Sequence, residues 1–518
     1  VVVCAAEEGN DFHLLNAGTT VAFVPPVRSA WLVVAGLFPR VAAADPPALR
    51  LGDIVAAAVQ GNPALLEAGA DVGVAAGNRL AAEGADDFIL DGRASFRQDQ
   101  TALVSGVPVQ QPSHRDVNFE LDLTRPLPTG GAIGLRLLGD YTRNVFTSDL
   151  GNGMTAESTV PQWAPGVQLV WTQPLLRGLG YAAARGALRR AQSVEDASKL
   201  TRAAVAATAL RDVATAYHEL AFATEDLGTR RALAQAAHDQ LAAVDANIGA
   251  GKMPPSARAE VEVAAGLRDE DVILAEQALL ERSLTVRQLS GLHIGPADGA
   301  IAAADSLDQP VAIAALEAAL AKAEVASPQL VAARANEGPP QIDVEVSENG
   351  LLPQLDFSLV AGPVGSALDV GGSLDQVAKL ASYTIQASLT LHQALERRAA
   401  RGASLAARES LRKAQLTEAD IRAQLRVAVV RMQSLEAQTQ RRLDVLAPAF
   451  QAATLDLAAE RARFAVGRST NFDVLRRQEE VASARLRQAR ARADLLEARD
   501  ALEAATGEIL GRYGVSLR

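Results

Sequence analysis

The chain has 518 residues, a net charge of −11 and only 4% aromatic residues. An acidic balance excludes the basic surface that nucleic acid selects, and so few rings exclude an interior built on large aromatics. Alanine and leucine fill long stretches instead, which suits extended helices packed closely along their length.

In chain order, Arg28 precedes the apolar run 30–38, and Ala42, Ala43 and Ala44 follow just before Asp45. A basic residue, a short apolar core and small residues at its end are the parts of a secretory signal peptide, so residues 1–44 read as a leader. Cys4, the only cysteine, falls inside it and lacks the preceding apolar run of a lipoprotein cleavage site. The exported chain then has neither disulfides nor thiolate chemistry. No later segment approaches the ~20 apolar residues of a membrane-spanning helix. An exported chain of this kind is either soluble or inserted as a β-barrel.

A helix over Leu51 to Ala58 leads to Asn62-Pro63-Ala64-Leu65. Residues 117–124 then alternate strictly, with Val117, Phe119, Leu121 and Leu123 against Asn118, Glu120, Asp122 and Thr124. Weaker alternation covers 133–141 and 167–172. Period two places one set of side chains on each sheet face, and ~10 such residues can cross an outer membrane with lipid on one side and water on the other. A soluble sandwich alternates in the same way. Residues 182–248 contain no proline and as one helix would reach about 100 Å. Gly251 and Pro254-Pro255 end that helix, and Gly291 closes the next.

The second half repeats this order. Ala312 to Leu320 and Ser327-Pro328-Gln329-Leu330 answer the first helix and its Asn-Pro corner, and 355–359 and 383–392 alternate again. Leu411-Arg412-Lys413-Ala414-Gln415 matches Leu188-Arg189-Arg190-Ala191-Gln192, and Gly467 precedes Gly507 by 40 residues, as Gly251 precedes Gly291. The chain therefore reads as a leader (1–44) and two structural repeats (45–300 and 301–518), a duplication of one large unit. Each repeat holds a helix, alternating strands and a long helical hairpin, 182–290 turning near Gly251 and 394–510 turning near Gly467, with Pro448 marking a bend. Val474, Val481, Leu495, Leu502 and Ile509 share one seven-residue phase, with Ala484, Ala491, Ala498 and Ala505 three residues on. Leu425, Met432, Thr439 and Leu446 form a similar row, and such rows coil helices against neighbours.

In order and duplication these segments resemble the TolC family of outer-membrane export channels over nearly all the chain after residue 48. Thr172-Gln173-Pro174-Leu175-Leu176-Arg177-Gly178-Leu179-Gly180 is similar to that family's junction between a barrel strand and a descending helix. Glu348-Asn349-Gly350-Leu351-Leu352-Pro353-Gln354-Leu355-Asp356 is similar to the approach to its third strand. The stretch from Phe464 to Leu475, and Leu502 to Leu510, match its periplasmic turn and final helix. The resemblance implies a mainly α fold with a β-barrel shared by a homotrimer in outer-membrane lipid. A long periplasmic α-helical coiled-coil barrel continues it, with four strands and four helical tracks per protomer. It implies the exit duct of a tripartite efflux pump or type I secretion system, served by an inner-membrane transporter and a periplasmic adaptor, with no covalent chemistry of its own. A soluble periplasmic coiled-coil scaffold is the alternative. Gly251, Lys252, Gly467, Arg468 and Ser469 would form the tip that meets the adaptor, and Asp473 with Arg476 would stand at the periplasmic gate. Phe464 and Ser469 replace the family's tyrosine and arginine there, and Arg476 replaces a second acid. Thr470-Asn471-Phe472-Asp473 equally fits a capping box.

The first half departs from the family by 42 extra residues: 126 separate its Asn-Pro and Leu-Arg-Arg markers against 84 in the second half. Arg115 to Thr124, the turn 126–131 and Ala132 to Thr142 read as an added hairpin, either two more barrel strands or an external flap. The six histidines show no ligand spacing, and no P-loop, nucleophile elbow or dinucleotide loop occurs. The expectation is no enzyme, no metal and no cofactor.

Overall fold

The computed structural model describes residues 46–104, 107, 109–151, 154–295 and 299–515. The leader expected at 1–44, with Cys4, lies outside these residues. A short strand β1 (Ala48–Leu49) leads into helices α1 (Leu51–Gly61) and α2 (Pro63–Glu83). Four strands follow, β2 (Ile89–Gln100), β3 (Val109–Pro126), β4 (Ala132–Gly151) and β5 (Met154–Pro174), then a helical turn α3 (Tyr181–Ala184) and the long helices α4 (Gly186–Gly249) and α5 (Ser256–Ser290). The second half runs β6 (Ala302–Ala303), α6 (Leu316–Ala326), α7 (Pro328–Ala335), α8 (Gly338–Asn349), β7 (Gln354–Pro363), α9 (Val370–Ala378), β8 (Tyr383–His392), α10 (Arg398–Ala465), α11 (Asn471–Thr506) and α12 (Glu508–Arg512).

The helical part consists of two hairpins built alike. Helix α4 has 64 residues and α10 has 68, while their return helices α5 and α11 have 35 and 36. Each return helix is therefore about half the length of its partner, and a separate helix stacks on its end to complete the track. Asn62 caps α2 by accepting from the Leu65 N–H, and its Nδ2 donates to Leu289 O at 2.7 Å, at the end of α5. Proline at the first position of α2 and of α7 loses no helical hydrogen bond. The closing glycines allow contact with no side chain between backbones. A Cβ on Gly291 would lie 2.2 Å from Gly61 O, and one on Gly507 would lie 2.6 Å from Ala326 O. Pro448 does not end α10, which continues through it to Ala465.

The cores repeat this plan. Ile54 and Val55 of α1 pack with Leu210, Val213 and Leu220 of α4 and with Leu279 and Val286 of α5. Ala319 and Ala323 of α6 pack with Leu425 and Val429 of α10 and Leu502 of α11. Most of the expected heptad row on α11 is buried, including Val474, Leu495, Leu502, Ala484, Ala491 and Ala498. Burying a leucine of this kind stabilises by ~1.5–3 kcal/mol, so these rows, and not the weakly amphipathic helices alone, hold the tracks together.

All six longer strands form one antiparallel sheet in the order β2-β3-β4-β5-β7-β8. The strand Ile89–Gln100 was not legible as alternation. The added hairpin is longer than its sequence pattern, at 18 and 20 residues, and lies in the middle of the sheet. Register places Leu90, Leu123, Leu135, Leu169, Ala361 and Ile385 opposite one another across all six strands. Directly opposed residues share a face, so one face carries an apolar row from edge to edge. The other face carries Asp91, Asp122, Arg136 and Gln168 in register. The turn after β3 lies at the end of the sheet that feeds the helices, where the Gly180 N–H donates to Thr129 O at 3.0 Å.

Candidate functional site: the helical tips

Both hairpins turn by one mechanism. After α4, the Gly251 N–H donates to Ile248 O at 2.9 Å and the Lys252 N–H to Asn247 O at 2.8 Å. After α10, the Gly467 N–H donates to Phe464 O and the Arg468 N–H to Arg463 O, both at 2.9 Å. This pair of bonds is the Schellman cap. It requires a left-handed residue, and glycine takes that conformation without a Cβ penalty, with φ of 70° at Gly251 and 73° at Gly467. The two tips thus present Gly251-Lys252 and Gly467-Arg468 in equivalent positions, with both basic side chains exposed and Ser469 half-buried beside the second.

The return helices start differently. Pro255 precedes α5 and stops any continuation of α4. Helix α11 starts on a complete capping box. The Asp473 N–H donates to Thr470 Oγ1 at 3.2 Å, while the Thr470 N–H and hydroxyl donate to Asp473 Oδ2 at 3.2 and 2.6 Å. The Thr470 hydroxyl and then its amide hold the Asp473 carboxyl below the usual carboxylate range, with a smaller contribution from Arg476 and Arg477. Asp473 is therefore an anion at neutral pH.

Asp473 and Arg476 lie one turn apart on α11, so the structure brings these two candidates together. Arg476 pairs with Glu480 at 3.3 Å. Arg477 was not singled out by its sequence context, yet it joins the hairpin's two arms, 2.6 Å from Glu480 on α11 and 3.1 Å from Asp456 on α10. The two hairpins meet where Gln240 of α4 donates to Asn471, the first residue of α11. Arg268 of α5 also donates to Glu479 of α11 at 2.9 Å. Gly251-Lys252 and Gly467-Arg468-Ser469 belong to separate turns.

A second polar cluster sits where the tracks are most buried. His218 Nε2 lies 2.8 Å from Asp500 Oδ2, and Arg512 donates to Asp500 Oδ1 at 2.7 Å and to Glu503 at 3.0 Å. Nearby, burial pushes the Glu497 carboxyl up to about 7; Arg490 opposes the shift, and Glu219 and Asp494 add to it. These groups tie α4 to α11 across 282 residues of sequence in the case of His218 and Asp500. Sequence spacing carries no sign of such a pair.

Residues 311–508 match the sequence model of the outer membrane efflux protein family. No curated protein matches the chain in sequence. Among solved structures, the MtrE outer membrane channel of Neisseria gonorrhoeae, in its open state, is similar with a TM-score of 0.62 at 14% identity, covering 89% of each chain. The outer membrane protein VceC of Vibrio cholerae has a TM-score of 0.59 at 16% identity, covering 88% of this chain and 96% of that one. The CmeC outer membrane channel of Campylobacter jejuni has 0.59 at 14%, covering 88% and 85%. At such identities these likenesses speak for the fold.

Proposed function

We infer, from the outer membrane efflux protein domain in residues 311–508 and the same architecture in the first half, that this chain is a TolC-type outer-membrane channel, the exit duct of an efflux pump. The observation that carries this reading is the sheet: one face with an apolar row from edge to edge, the other mainly polar, continued directly by helical hairpins about 100 Å long. Among the described residues no helix is long and apolar enough to cross a membrane.

The working form is a homotrimer. A single copy leaves Leu405, Leu416, Val427, Val445 and Leu455 of α10 and Val263, Leu267 and Ile273 of α5 exposed, and neighbouring copies would cover them. A periplasmic adaptor would engage the exposed Gly251-Lys252 and Gly467-Arg468 turns, with half-buried Ser469 beside the second, and join the duct to an inner-membrane transporter, with two equivalent basic tips per copy favouring a repeated contact. Asp473, brought to the axis three times, would form an anionic gate ring, with Arg476 held beside it. The chain performs no covalent chemistry in this role.

Fractionation tests the function. The protein should sediment with outer membranes, resist carbonate extraction and migrate as a heat-dissociable trimer. Release by carbonate as a soluble protein would instead mark a periplasmic scaffold.

A further inference from the structure

We propose that the added hairpin β3–β4 is part of the membrane wall, so that three copies of this chain close an eighteen-stranded barrel in which β2 of one copy pairs with β8 of the next. The inference rests on the trimeric outer-membrane reading above and adds to it the strand count and the seam. A four-stranded contribution per copy, with the hairpin as an external flap, is what it replaces.

Connectivity excludes the flap. Among the described residues strand β2 pairs only with β3, through an unbroken register from Ile89 opposite Thr124 to Gln100 opposite Ser113. Strand β5 pairs with β4 and β7. The hairpin is thus the link between β2 and the remaining strands, and lifting it away would strip β2 from the sheet.

Chemistry points the same way. On the hairpin, Val117, Phe119, Leu121 and Leu123 of β3 face the same side as Ile133, Leu135 and Leu137 of β4. Val117, Phe119, Leu123, Ile133, Leu135 and Leu137 are 36% to 49% exposed in the single chain. Asp116, Glu120, Asp122, Arg136 and Asp140 take the opposite side, where Arg136 lies 3.0 Å from Glu120 and 2.7 Å from Asp122. Leu138 is an apolar exception there. Helix α9 comes over this face only near Val117 and Phe119, and a flap in water on both sides has no reason to keep Leu121, Leu123, Ile133, Leu135 and Leu137 on one side; a wall between lipid and water does.

The free edges then determine the partner. Backbone groups left unpaired in hydrocarbon cost several kcal/mol each, and both edge strands carry lipid-suited side chains, Leu90 and Phe96 on β2 and Tyr383, Ile385, Leu389 and Leu391 on β8. The sheet is antiparallel with an even number of strands, so β2 and β8 run in opposite directions and can join as an antiparallel pair. Among the described residues they do not pair with each other within one copy, and six strands closed alone would enclose no channel, since even eight leave an interior just filled by side chains. The occupant of each edge is therefore a second copy of this chain. Their lengths of 12 and 10 residues match the requirement for a tilted outer-membrane strand. Barrel diameter grows roughly linearly with strand number, so this wall is about one and a half times as wide as a twelve-stranded one, and the hairpin's acidic face lines it.

Cryo-electron microscopy of the full chain in lipid nanodiscs, with single-cysteine labelling of its Cys4→Ala variant in proteoliposomes, tests the proposal. The expected result is a trimer with eighteen strands, with Asn118→Cys labelled by a polar maleimide and Leu121→Cys protected. A trimer with twelve strands and both cysteines labelled overturns the proposal and leaves the channel reading intact. A protein that does not enter membranes, or is not trimeric, overturns both.

Discussion

Thr470 and Asp473 cap the same helix end, and their roles separate by substitution. Asp473→Asn keeps an acceptor for the Thr470 amide but removes the charge. We predict that it lowers cation-over-anion permeability in planar bilayers severalfold with little change in Tm. Thr470→Ala loses the cap, about 1 kcal/mol, and leaves selectivity in place. Unchanged selectivity in Asp473→Asn with a falling Tm would reduce Asp473 to a cap. Its folded pKa is depressed, so the stability it contributes is present above its unfolded pKa of about 4 and is lost as pH falls through the folded value. Glu497 has the opposite sign. Its folded pKa of about 7 lies above the unfolded one, so the protonated form suits the fold, and the benefit vanishes as pH rises through about 7. Glu497→Gln should therefore raise Tm at pH 8 and change it little at pH 5.

At the scale of elements, five glycines among the described residues end helices with positive φ, Gly514 after α12 being the fifth, but only Gly291 and Gly507 also meet another backbone. A Cβ at Gly251 or Gly467 has nothing within 4 Å, whereas at Gly291 and Gly507 it meets the carbonyls of Gly61 and Ala326. Alanine at a tip costs only the left-handed conformation, about 1–2 kcal/mol. At Gly291 or Gly507 the overlap adds to this, and the stacked helices must part. We predict that Gly467→Ala speeds amide exchange only around the tip, while Gly291→Ala and Gly507→Ala lower global stability by more than twice as much in denaturant titrations.

For the whole molecule, the exposed stripe on α10 is the clearest sign that one chain is incomplete. Leu405, Leu416 and Val427 recur every 11 residues, about three helical turns, and so lie along one side of a nearly straight helix. Leu416→Arg combined with Val427→Arg should leave secondary structure intact but shift the trimer to monomer in light scattering, because buried unpaired charges would replace ~1.5–3 kcal/mol of apolar burial per leucine in each copy. A persistent trimer would place this stripe outside the subunit contact.

What the sequence by itself determined are the features that local chemistry dictates. Gly251 and Gly467 announce helix ends because few other residues adopt their φ, and the Thr470–Asp473 box is legible because its partners are three residues apart. Seven-residue rows announce coiled helices, and the alternation of 117–124 and 383–392 announces two-faced strands. Strand Ile89–Gln100 escaped because Gly92 and Ala94 blunt the contrast between its faces. Only the tertiary structure decided that the added hairpin lies inside the sheet, since alternation marks a strand's two faces but not its neighbours. It alone joined His218 to Asp500, Gln240 to Asn471, and each closing glycine to the helix stacked on it. Those contacts arise from where long rigid helices run side by side, a matter of register between distant segments that no local pattern encodes.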